Sequence, residues 1–148
     1  MVTQASNQTV LLIDGDEVVR DSIKVLLESH GAQVEDFRNA GEFLSQARSI
    51  RGQCLILGYN RQISEGLELV ATLRRRGMDL PAIFIVGGGD AVTKAAALAA
   101  GAFAYLERPV EEAALIRAIR AARSSRNEGA PLSGTSPATG PLLASARS

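Results

Sequence analysis

In an open α/β sheet, chemistry happens just past the carboxyl ends of the strands. Four short apolar runs in this 148-residue chain lead to residues that decide what chemistry is available there. The run TVLLID ends in Asp14, with Gly15 and Asp16 just beyond. QCLILG ends in Gly58, PAIFIV ends in Val86, and FAYLE leads to Arg108 before Pro109. Carboxylates at such an edge act as nucleophiles or as oxygen ligands for a hard cation such as Mg²⁺. Two of the four edges offer neither. Gly58 has no side chain, and Val86 neither donates nor accepts a hydrogen bond. No metal-ligand spacing and no Ser-His-Asp arrangement is visible, and one histidine, His30, limits both.

The elements that must position these residues follow from the apolar pattern. Residues 9–14 read as a buried strand. Val19, Ile23, Leu26 and Leu27 share one face of a helix over 17–30, which His30 and Gly31 stop. Residues 33–37 read as a strand and 40–50 as a helix carrying Phe43, Leu44 and Ala47. QCLILG is the third strand. The next helix, 65–76, turns Leu67, Val70 and Leu73 inward and ends in three arginines that suit the negative end of its dipole. PAIFIV is the fourth strand. Asp90 is the N-cap of an alanine-rich helix over 91–100, which Gly101 ends. FAYLE, 103–107, is the fifth strand, and a last helix over about 110–124 buries Leu115, Ala118, Ile119 and Ala122. Strict β–α alternation implies right-handed crossovers and a doubly wound, five-stranded parallel sheet covered on both faces.

Composition bounds the reading. Hydrophobic residues make up 46% of the chain and charged ones 22%, as expected for one globular domain. Lys plus Arg and Asp plus Glu are both 16, so bulk charge gives no reason to expect nucleic acid or an anionic membrane as partner. The lone Cys54 lies in an apolar run and reads as an inert core residue. The first nine residues, MVTQASNQT, lack the basic start and apolar stretch of a signal peptide, and with no membrane-length apolar run a cytoplasmic protein is expected. Residues 125–148, rich in Ser, Gly, Pro and Ala, read as a disordered tail after a domain over 9–124. With no second foldable segment, a transcription factor is not expected.

The stretches DEVVRDSIKVLLES, SEGLEL, GMDLPAIF, GGGD and AGAFAYLERP carry a resemblance. From about residue 9 to 124 the chain resembles a response-regulator receiver domain with the flavodoxin-like (βα)5 fold, the signalling module of two-component phosphorelays. The subtype it is most similar to precedes a helix-turn-helix output domain in longer regulators. The resemblance implies an acceptor aspartate at the end of the third strand, two acids after the first strand that hold Mg²⁺, a Ser or Thr ending the fourth strand, and a Lys before the Pro after the fifth. By position the acceptor falls on Gly58, the acids on Asp14 and Gly15, the hydroxyl on Val86 and the lysine on Arg108. Only Asp14 keeps the family's residue. Tyr105 falls on the family's aromatic switch position.

These departures point to a degenerate receiver, a pseudo-receiver. Gly58 supplies no nucleophile. Gly15 removes a cation ligand unless Asp16 takes its place. Arg108, always charged and able to meet a carboxylate with two N–H groups, is expected to pair with Asp14 where the metal would sit. The reading is therefore a non-enzymatic module with no cofactor and no metal, acting through protein–protein contact. Its expected partners are a histidine kinase, another signalling protein, or a second copy bound through the fourth helix, fifth strand and fifth helix. Two alternatives stand beside it. One is a conventional Mg²⁺-dependent phosphoacceptor using a substituted residue. The other is a small-molecule binder that uses the room left beside Gly58 and Gly87. The run Gly87-Gly88-Gly89 reads as the subtype's usual mobile loop, with a phosphate cradle as the rival explanation. Arg117, Arg120 and Arg123 on the last helix read as a solvated face, with an acidic partner or nucleic acid as the rival.

Overall fold

The computed structural model describes residues 9–46, 52 and 54–129. Ten elements alternate: β1 (Thr9–Asp14), α1 (Glu17–Ser29), β2 (Gln33–Phe37), α2 (Ala40–Gln46), β3 (Cys54–Asn60), α3 (Ser64–Arg75), β4 (Ala82–Gly87), α4 (Ala91–Ala99), β5 (Ala104–Glu107) and α5 (Glu112–Gly129). The strands form one parallel sheet in the order β2-β1-β3-β4-β5. This is the flavodoxin-like order, whose switch point lies between β1 and β3, the strands that end at Asp14 and Gly58.

Two apolar layers sandwich the sheet. Alternate residues of one strand go to opposite faces, so Leu11, Ile13, Leu55, Leu57, Phe84 and Val86 pack with Phe43, Leu69, Val70, Leu73 and Ala97 under α2, α3 and α4. Val10, Leu12, Cys54, Ile56, Ile83 and Ile85 pack with Leu27, Leu115, Ile119 and Ala122 under α1 and α5. The central strands are apolar on both faces because both faces are covered. Asp16 caps α1, accepting from the Val18 and Val19 N–H groups, and Asp90 caps α4 through the Thr93 N–H.

Several boundaries differ from the sequence expectation. Strand β3 does not stop at Gly58. Its ladder with β4 continues through Tyr59↔Val86 and Asn60↔Gly87, so backbone pairing carries the strand past the glycine. The interior face of α3 is built on Gly66, Leu69, Val70 and Leu73, whereas Leu67 is only partly buried. Helix α5 begins at Glu112, because Val110 stays in the turn and packs on the α1–α5 layer. It continues to Gly129, since residues 125–128 hold no glycine or proline to break it. The expected tail thus begins inside the helix, and its remainder, 130–148, lies outside the described residues, as do Ala47 and residues 1–8. Among the described residues no helix is long and apolar enough to cross a membrane.

Candidate functional site

Asp14 ends β1 with its side chain almost wholly buried, only 4% exposed. A buried carboxylate needs partners on both oxygens. Here Oδ1 accepts the Asp16 N–H at 2.8 Å, and Oδ2 accepts from Arg108 Nη2 at 2.6 Å. Arg108 reaches it from the turn after β5, where its peptide to Pro109 is cis. The other terminal nitrogen, Nη1, donates to the Tyr59 carbonyl at 3.3 Å and to Asn60 Oδ1 at 3.1 Å. The guanidinium is thus spread over three acceptors at the ends of β1 and β3. The pairing expected from residue types is present. Asp16, by contrast, is exposed and spends its carboxylate on the α1 cap, so it adds no oxygen beside Arg108.

Gly58 pairs with Asp14 in the β1–β3 ladder and sits under this ion pair. A Cβ at residue 58 would run into Asp14 Oδ2 and would lie 2.8 Å from Arg108 Nη2 and 2.9 Å from Asp14 Cγ. The room expected beside Gly58 and Gly87 is therefore not there. The arginine fills it: a Cβ at Gly87 would meet Asn60 Oδ1 at 2.8 Å and Arg108 Cδ at 3.6 Å. Gly15 is different, since a Cβ there would meet only the Arg38 carbonyl at 3.7 Å. No steric demand explains a glycine at 15.

On the other side of the crevice, the Val86 and Tyr105 side chains make no hydrogen bond among the described residues. Val86 is fully buried. Tyr105 packs against the layer under α4, and its hydroxyl is buried without a hydrogen-bond partner among the described residues. That hydroxyl lies over Gly89, where any Cβ would collide with it. Burial pushes the Tyr105 phenol above its ordinary pKa, helped by the nearby Glu107 and Asp90 carboxylates. Of the triple glycine, only Gly88 takes a positive φ, 73°, with Arg61 (φ 68°) folded against it.

Residue types alone did not reveal the supporting partners. Arg20 donates to the Asp14 carbonyl at 2.7 Å and pairs with Asp36 at 3.0 Å, which fixes the end of β1 against β2. Tyr59 donates to Glu65 Oε1 at 2.9 Å. Burial and the Glu65 charge push its phenol far above the ordinary range. The Tyr59 ring needs Gly66 beneath it, where a Cβ would approach to 2.7 Å. The hint for Asn60 was its place two residues past Gly58. For Arg20 it was an arginine facing an acid at the end of the neighbouring strand.

Comparison with known proteins bears on the fold and the family. Residues 10–120 match the family described as response regulator receiver domain. The transcriptional regulatory protein TdiR of Thauera aromatica is 37% identical over 120 residues, which cover 81% of this chain and 53% of TdiR. The transcriptional regulatory protein FixJ of Azorhizobium caulinodans is 36% identical over 112 residues, covering 76% of this chain and 53% of FixJ. The chain thus spans about half the length of these curated relatives. The crystal structure of FixJ-N superposes with a TM-score of 0.71 at 32% identity, covering 80% of this chain and 94% of that one. With its sheet order, its crevice at the β1–β3 switch point and these relatives, the chain belongs to the response regulator receiver domain family.

Proposed function

We propose that this chain is a pseudo-receiver of two-component signalling, one that works by protein–protein contact without phosphorylation of an aspartate. The observation that carries the reading is the Arg108–Asp14 ion pair, which stands where the side chain of residue 58 would have to be. Phosphoryl transfer to a side chain at position 58 needs a nucleophile there, and Gly58 supplies none. The residues do not fit the Mg²⁺ that the fold family employs. Both Asp14 oxygens are engaged, Asp16 caps α1, and Gly15 and Gly58 bring no ligand. Among the described residues no three His, Cys, Asp or Glu side chains are grouped to hold a metal ion. Arg108 supplies the positive charge that Asp14 needs.

The partner is a histidine kinase or another signalling protein. The surface for it is the α4–β5–α5 face, where Val92 and Leu98 are exposed on α4 and Phe103 stands just before β5. The test is intact mass after incubation with a small-molecule phosphodonor and excess Mg²⁺. The parent chain is expected to gain no phosphoryl group. The triple variant Gly15→Asp/Gly58→Asp/Arg108→Lys, which restores the family's pattern at three positions, serves as the positive control. Stoichiometric phosphorylation of the parent would overturn the reading.

A further inference from the structure

We infer that the flank of α5 beside the α1–β2 turn binds a linear oligophosphate, either free or carried by a nucleotide. Two clefts open there. The smaller, about 200 Å³, is lined by Arg120 and Arg123 of α5 and by Gly31 and Ala32 of the turn. The larger, about 430 Å³, is lined by Arg117 and Arg120. His30, Ile116 and Arg120 line both, so the clefts are neighbours and Arg120 belongs to each.

The helix itself does not account for these arginines. Arg117, Arg120 and Arg123 are exposed, and none makes an ion pair with a described residue. The positions three and four residues away on either side hold no acid; each is uncharged or another arginine. Like charges at that spacing repel. The helix dipole favours cations in the last turn only, and none of the three lies in the last turn of α5, which ends at Gly129. Among the described residues one acid, Glu112, lines the clefts, and it is turned to His30, with Oε2 at 3.3 Å from Nε2. The N–H groups of His30, Gly31 and Ala32 are spent on closing the end of α1. The guanidinium N–H groups are therefore the donors that the clefts offer.

The layout of the charge identifies the ligand. A guanidinium presents its N–H groups as a planar fork that matches two oxygens of one phosphate. Three such forks climb α5 in steps of about 4.5 Å, three residues at about 1.5 Å each. A single phosphate meets one or two of them. A chain of linked phosphates carries anionic oxygens along its whole length, so it can lie across both clefts and meet all three. A row of carboxylates brings one charge per flexible side chain, and ordering each side chain costs entropy that linked phosphates do not lose.

Titration calorimetry on the full chain tests this, with sodium tripolyphosphate as the probe at low ionic strength and without divalent cations. Saturable binding is expected, with orthophosphate clearly weaker. Arg120→Ala removes the fork common to both clefts and is expected to weaken tripolyphosphate binding about tenfold, as for a lost charge-assisted contact. Arg117→Ala and Arg123→Ala are each expected to weaken it by less. Arg76→Ala removes the same charge from the exposed end of α3, outside the clefts, and is expected to change nothing. Alanine is the best helix former, so the three α5 variants should keep the parent's circular dichroism. Adenosine triphosphate is the second probe. Binding at least as tight as that of tripolyphosphate would support the site and assign it to the phosphates of a nucleotide; weaker but saturable binding would support it as a site for a free oligophosphate. Failure of tripolyphosphate to saturate at millimolar concentration would overturn the proposal. So would an Arg120→Ala variant that binds like the parent, or an Arg76→Ala variant that loses as much as Arg120→Ala. A polyglutamate peptide that binds as tightly as tripolyphosphate would give the arginines to an acidic protein and overturn it as well.

Discussion

The two sides of the crevice are closed by different means. On the β1–β3 side, Asp14, Arg108, Asn60 and the Tyr59 carbonyl satisfy one another through directed bonds. On the β4–β5 side, Val86, Gly89 and Tyr105 meet by side-chain contact, and a buried hydroxyl goes without a partner among the described residues. The first arrangement has one low-energy geometry, because moving either charge leaves the other buried and alone. The second can rearrange cheaply, since turning Tyr105 outward returns its hydroxyl to water. The fixed side is the switch point between β1 and β3, and the movable side is the far edge of the sheet.

Removing the arginine tests this contrast most strongly. Arg108→Ala is expected to cost about 3 kcal/mol in denaturant unfolding, because Asp14 stays buried without its cation. The figure is at the low end for a buried pair, since the Arg108 side chain is 20% exposed and water can partly replace it. A loss below about 1 kcal/mol would mean that the pair is no more than a surface salt bridge. Next in size is Gly58→Ala, expected to cost about 2 kcal/mol by overpacking against the pair. In an Arg108→Ala background the cost should shrink, and purely additive losses would show that residue 58 and the ion pair are not coupled.

On the movable side, Gly89→Ala should displace Tyr105 at a cost of about 1 kcal/mol, offset in part because the orphan hydroxyl regains water. Burial raises the folded-state pKa of Tyr105, so its contribution to stability is complete below the ordinary phenol value and is lost as pH rises above about 10. In Gly89→Ala that part of the alkaline loss should vanish. Absorbance titration of the phenol, read in a Tyr59→Phe background, checks it, and an unshifted titration would keep Tyr105 inward. The smallest effect is expected at Gly15→Asp, within about 0.5 kcal/mol, because a Cβ there meets only the Arg38 carbonyl, at ordinary van der Waals distance. A large loss would reveal a constraint at 15 like that at 58.

Much of this was legible in the residues. The β–α alternation and the Asp90 cap followed from periodicity and capping chemistry, and the Asp14–Arg108 pairing from charge type at positions the family resemblance brings together. What could not be read was anything set by the neighbouring strand. The continuation of β3 to Asn60 depends on the ladder with β4, not on its own residues. The filling of the crevice by Arg108 depends on where the turn after β5 lands. The sequence shows that Gly58 lacks a carboxylate, but only the packing shows that a side chain there is also obstructed. Asp16 looked available as a ligand because its competing use, the first turn of α1, is visible only once the cap has formed.

The hydrogen bond from Arg108 to Asp14 joins residues 94 apart in the chain. Such a contact closes a long loop and brings no gain until β1, β3 and the turn after β5 are already in place. It is therefore expected to form after the folding transition state. In stopped-flow kinetics, Arg108→Ala should speed unfolding and leave refolding almost unchanged, whereas an equal slowing of refolding would place the contact in the nucleus. A bond with that timing acts as a latch: it adds little to how fast the chain finds its fold and much to how long the fold lasts.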